Sequence, residues 1–220
     1  VRILALGDIH GCAIAFDALL EVVELRPDDT LITLGDYVDR GPDSRRVIEH
    51  LMELHQTHHL VPLMGNHEQM MLEARDSKNM RKMWLGFGGD ATVASYGGLE
   101  AVPWSHWHFL EKKCLMLWET ETHFFVHAGS HPDRPLSDQP ENCLLWDRFE
   151  TAIPHESGKI MVCGHTSQKE GLPNNRGFAI CIDTWACGSG WLTCLDVNER
   201  YIWQANKYGQ TREFSLDELP

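Results

Sequence analysis

The chain has 220 residues, 43% hydrophobic and 23% charged, which fits one soluble domain with a substantial core. Asp and Glu number 32 against 19 Lys and Arg, and a net charge of −13 excludes a general binder of the nucleic-acid backbone. No apolar run reaches the ~18 residues of a membrane span, the N-terminus shows no signal-peptide pattern, and seven cysteines without C-x-x-C spacing exclude a thiolate zinc site.

Val1–Leu6 reads as a first strand, ending in Gly7-Asp8-Ile9-His10-Gly11. Apolar residues at 16, 19, 20, 22 and 23 form a helical stripe, broken at Pro27-Asp28-Asp29. The run Thr30–Leu34 is a second strand, leading into Gly35-Asp36-Tyr37-Val38-Asp39-Arg40-Gly41. Asp43-Ser44 can cap a helix through Val47, Ile48, Leu51, Met52 and Leu54. A third strand, Leu60–Met64, ends at Gly65-Asn66-His67-Glu68. Asp8 to Asp36 is 28 positions and Asp36 to Asn66 is 30, the length of βαβ units, so parallel strands are expected. Such sheets bind ligands at the carboxyl ends of their strands.

A helical insertion is expected over about 68–113: helices at Glu68–Arg75 and Met80–Phe87, a short one capped by Asp90, and Trp104–Lys113. It is either a substrate wall or a set of core-covering helices. Strands follow at Cys114–Glu119, His123–Val126, Ile160–Cys163 and Phe178–Asp183, with a terminal hairpin at about 191–205. No interdomain linker interrupts 1–220, so a single domain is expected. Free cysteines imply a reduced, cytoplasmic setting, and nothing local would activate Cys12 as a nucleophile.

Five apolar runs end beside a residue able to hold metal: Asp8, Asp36, Asn66, His127 and His165, with His10 two positions after Asp8. Glycine directly precedes four of the strand-end residues and follows His127 by two positions, suited to close backbone approach beside a crowded site. One such pair is an ordinary turn; five repeat too regularly for that. Carboxylates crowded at the end of a core strand need compensation. Two Asp, one Asn and three His suit Mn, Fe or Zn. Six donors suit two ions sharing Asp36 rather than one ion with an open position. A pair of ions ~3.5–4 Å apart binds phosphoryl oxygens and activates a bridging water for direct attack on phosphorus. The other histidines lack the strand-end context; His50, His55, His58 and His59 read as a solvated group near one helix end.

These motifs, Gly7–Gly11, Gly35–Gly41, Gly65–Glu68, His127–Gly129 and Gly164-His165-Thr166, resemble the metallophosphoesterases, specifically the phosphoprotein phosphatase family of Ser/Thr phosphatases with its small bacterial and phage members. The resemblance implies an α/β fold, a two-sheet β-sandwich flanked by helices. It implies that Asp8 and His10 bind one metal, that Asp36 bridges, and that Asn66, His127 and His165 bind the other. His67 would be the general acid, oriented by Asp39, while Arg40 and Arg148 would grip the phosphate. Two divalent ions, Mn foremost, would serve a phosphorylated protein or peptide substrate, phosphotyrosine included, with the chain acting as a monomer. Around Trp146-Asp147 the eukaryotic pattern differs, so Arg148 has a surface ion pair as its alternative. Trp185 stands where the family usually has glycine. The runner-up is a symmetrical bis(5'-nucleosyl)-tetraphosphatase, whose members usually carry a different residue at the position of Asp39. A silent phosphoprotein-binding module is the third reading, though no ligand is missing.

Overall fold

The computed structural model describes residues 1–219. In chain order its strands are β1 (Ile3–Leu6), β2 (Thr30–Thr33), β3 (His59–Pro62), β4 (Leu117–Glu119), β5 (His123–Val126), β6 (Ile160–Cys163), β7 (Asn174–Asn175), β8 (Ala179–Cys181), β9 (Leu192–Asp196), β10 (Tyr201–Ala205) and β11 (Thr211–Ser215). They form two sheets, ordered β11-β10-β9-β1-β2-β3 and β4-β5-β6-β8-β7. The neighbours β1-β2-β3 are parallel, as the spacing of the motifs predicts, and β5-β6-β8 are parallel in the other sheet.

Alternation along each strand explains why two sheets stack. Ala5, Ile32 and Val61 of the first sheet meet Phe125, Val162 and Ile180 of the second. Their neighbours Leu4, Leu6, Leu31 and Leu60 face the opposite way, under the helices. Phe124, Val126, Met161 and Cys163 likewise face outward from the second sheet and pack with Leu144 and Phe149. Both faces of the central strands are therefore buried, which is why they read as unbroken apolar runs.

Helices α1 (Ala13–Val23) and α2 (Ser44–Thr57) make the crossovers of the first sheet. Asp43 caps α2, its side chain accepting from the Arg46 N–H. The insertion holds α3 (Asn66–Asp76), α4 (Lys78–Trp84), α5 (Asp90–Tyr96) and α6 (Trp104–Lys113). The helix expected to Phe87 is α-helical through Trp84 and continues as a wider helical turn until Gly88, at φ 107°, breaks it. Asp90 begins α5 without capping it. A seventh helix, α7 (Glu141–Trp146), ends the polar loop after β5. The terminal hairpin is longer than expected, since β11 adds a third antiparallel strand to β9 and β10. No helix among the described residues is long and apolar enough to cross a membrane.

Candidate metal centre

The strand ends converge. Asp36, just beyond β2, lies between two clusters of donor atoms, one with His10 and His67, the other with His127 and His165. Its Oδ2 is 3.3 Å from His10 Nε2 and 3.9 Å from His67 Nε2; its Oδ1 is 3.4 Å from His127 Nε2. Asn66 Oδ1 is 2.9 Å from His127 Nε2 and 3.0 Å from His165 Nδ1. Asp8 joins the group by accepting the His165 backbone N–H on both carboxylate oxygens, at 3.0 and 3.2 Å. Asp8, His10, Asp36, Asn66 and His127 are all buried.

The residues fit a pair of cations. The Nδ1–H of His10 is spent on the Val38 carbonyl at 2.9 Å, and that of His127 on the Leu34 carbonyl at 2.8 Å. Fixing one ring nitrogen this way turns the other, with its lone pair, into the site. His127 Nε2 consequently faces the oxygens of Asn66 and Asp36, acceptor against acceptor, an arrangement that a cation between them resolves. Burial lowers His10 and His165 to about 3, keeping both imidazoles neutral and ligating. Burial also raises the Asp8 carboxyl, and the nearby charges of Asp183 and Asp36 raise it further. Positive charge delivered to this pocket would relieve that crowding.

The backbone is bent to make the convergence possible. His10, Asp36, Asp39, Arg40 and His165 all have φ between 45° and 75°, a left-handed conformation costly for residues other than glycine. Glycine serves a different need at Gly164, where a Cβ would overlap Asp8 Oδ1, and at Gly65, where it would overlap the Asp36 carboxylate. Trp185, where the resemblance expects glycine, takes a left-handed conformation at φ 64°, one that glycine adopts without strain.

Beside the ligands sits the expected pair: His67 Nδ1 lies 2.6 Å from Asp39 Oδ2, both fully buried. Burial opposes protonation of His67, but Asp36 and the hydrogen bond to Asp39 outweigh it and raise its pKa. The Arg40 guanidinium donates to His10 Nε2 at 2.6 Å and lies 2.9 Å from His67 Nε2, so it stands at the mouth of the centre. Arg148 does not join them. Its side chain is 61% exposed and its Nε is 3.5 Å from Glu150, the surface pair that was its alternative.

Glu68, the last residue of the Gly65–Glu68 motif, has a role that its sequence context does not reveal. It is buried, and its carboxylate accepts four backbone N–H groups: Asp36 at 2.7, Tyr37 at 2.8, Val38 at 3.2 and Gly65 at 3.0 Å. It therefore holds the bent loop carrying Asp36 against the start of α3 carrying Asn66. Burial raises its pKa to about 8, yet every contact is a donor, so the geometry is built for the ionised form. Cys12 is a buried thiol pushed up to about 12 by burial, unsuited to nucleophilic attack. The histidines near the end of α2 are less solvated than expected: His50 pairs with Asp17, and His55 has a buried Nδ1 and packs on Phe109.

A serine/threonine-protein phosphatase 1 of Salmonella typhimurium is 32% identical over 159 residues, covering 67% of this chain and 63% of that protein. An asymmetrical bis(5'-nucleosyl)-tetraphosphatase of Bacillus cereus is 29% identical over 233 residues, covering 90% of this chain and 91% of that one. A solved structure assigned as a presumed diadenosine tetraphosphatase superposes with a TM-score of 0.69 at 20% identity, covering 97% of this chain and 92% of the other, which shows a shared fold. The calcineurin-like phosphoesterase profile matches residues 1–187, the stretch that carries every strand end described above, and this chain belongs to that family.

Proposed function

We propose that the chain is a dinuclear-metal-dependent phosphomonoesterase acting on phosphoserine and phosphothreonine in proteins, with phosphotyrosine as a secondary substrate. Two divalent ions, manganese foremost, would be held by Asp8 and His10 on one side, by Asn66, His127 and His165 on the other, and by Asp36 between them. Bound there, they supply an acidified water and charge neutralisation for the phosphoryl oxygens. Arg40, already beside His10 and His67, would take phosphate oxygens with its two-pronged guanidinium. Arg148 would have to leave Glu150 to join it. His67 would protonate the departing alkoxide through Nε2, while Asp39 fixes the ring by accepting from Nδ1.

One observation carries the reading: the buried 2.6 Å contact between His67 and Asp39, with the far nitrogen of the ring turned toward Asp36. An acid of this kind matters most when the leaving group is a poor one, such as the alkoxide of serine or threonine. A nucleoside-polyphosphate hydrolase is the second reading, favoured by the near-complete alignment with the Bacillus cereus relative. Manganese-loaded protein assayed on a phosphoserine peptide and on diadenosine tetraphosphate separates them. A kcat/KM at least about tenfold higher on the peptide is expected, worth ~1.4 kcal/mol of transition-state binding. A preference for the dinucleotide overturns the proposal in favour of the second reading.

A further inference from the structure

Asp39 is held by more than His67. Trp84, the last residue of α4, donates its indole N–H to Asp39 Oδ2 at 2.7 Å. Thr92 of α5 donates its hydroxyl to Asp39 Oδ1 at 2.7 Å. The same hydroxyl oxygen accepts the Asp39 backbone N–H at 2.8 Å and lies 2.9 Å from Ser44 Oγ. Proton counting settles the directions. The single Thr92 proton goes to the carboxylate, so Ser44 must donate to Thr92, and Ser44 in turn accepts from the Asp39 N–H at 3.1 Å. Trp84, Thr92, Ser44 and Asp39 are all fully buried. Between Trp84 and Thr92 runs the kinked turn Leu85–Gly89, where the Gly88 carbonyl accepts the Arg40 N–H at 3.0 Å.

We propose that Trp84 and Thr92 are positioning residues of the reaction: the helical insertion orients the general acid by gripping the carboxylate that orients His67. A carboxylate alone turns easily about its last bond. Here one oxygen is tied to α5, and the other is shared between α4 and His67, so the plane of Asp39 is fixed from the insertion and the imidazole follows. Trp84 also lies in the hydrophobic core with Tyr96, Leu99 and Trp107, which anchors the grip in packed structure. The insertion is therefore both core cover and part of the site's wall.

This inference rests on the proposed role of His67, and the test separates the two. Turnover is measured for wild type, His67→Asn, Thr92→Val, Thr92→Ser and Trp84→Phe on a phosphoserine peptide, whose leaving group is poor, and on 4-nitrophenyl phosphate, whose leaving group is good. Thr92→Val and Trp84→Phe are expected to lower kcat on the peptide about tenfold, a part of what a lost general acid costs, with KM and nitrophenyl turnover within about threefold of wild type. Thr92→Ser, which keeps the hydroxyl, is expected to restore peptide turnover. If His67→Asn shows the leaving-group split and Thr92→Val does not, the inference is wrong while the role of His67 stands. Equal losses on both substrates, or no rescue by serine, reduce the pair to structural packing and also overturn it. Absence of the split in His67→Asn overturns the general-acid reading itself.

Discussion

Asp36→Asn protein, loaded with manganese and desalted, should retain neither ion and should lose more than about 100-fold in turnover. Asp36 is the one side chain common to both donor clusters, so its charge serves two ions at once. Loss of a mere outer partner of a ligand costs 10–100-fold in affinity or activity; loss of the shared ligand must cost more. The fold should survive. Asp36 Oδ1 accepts the His67 backbone N–H at 3.1 Å, a bond that the asparagine carbonyl can also accept. The new amide N–H₂ would meanwhile point at His10 Nε2 and block its lone pair from an ion. Elemental analysis beside a melting curve reads both halves of the expectation. Two ions per chain in the variant would show that Asp36 does not bridge.

His67→Asn should do the reverse, keeping the ions and losing turnover by about 10²–10⁴ on alkyl phosphates. This variant decides a point the geometry leaves open to rivalry, for His67 lies close enough to His10 and Asp36 to be counted among possible ligands. Two features argue for acid over ligand. Its Nε2 stands 3.9 Å from Asp36 Oδ2, against 3.3 Å for His10, and its Nδ1 is held by the Asp39 carboxylate where those of His10 and His127 are held by neutral backbone carbonyls. A carboxylate at Nδ1 favours the protonated ring that a proton donor needs. Loss of an ion in the variant, measured by the same elemental analysis, would move His67 into the ligand set.

Much of the centre is legible in the sequence. Parallel strands carry their C-terminal ends to one edge, so apolar runs that each stop at Asp, Asn or His had to bring those residues together. What stayed hidden were contacts between residues whose chemistry gives no local sign. Glu68 looks like any acidic residue in the first turn of a helix, and three of its four amide partners come from a loop about thirty positions earlier. Trp84 and Thr92 carry the ordinary marks of helix packing, and only the folded insertion shows them meeting Asp39, 45 and 53 positions away. Arg148 is placed at the phosphate by the resemblance alone, outside a closely matched motif, and in the structure it pairs with Glu150, two positions on, at 3.5 Å. The break at Gly88 falls in the glycine-rich turn that Gly86, Gly88 and Gly89 mark in the sequence.

Asp8, Asp36 and Asn66 extend from one sheet, and His127 and His165 from the other. Ions seated among them would act as rivets across the sandwich, and heating could not part the layers without first expelling them. Heat resistance should then climb with free manganese along a binding isotherm, gaining about 2.7 kcal/mol at a hundred times the dissociation constant, and a chelator should erase the gain.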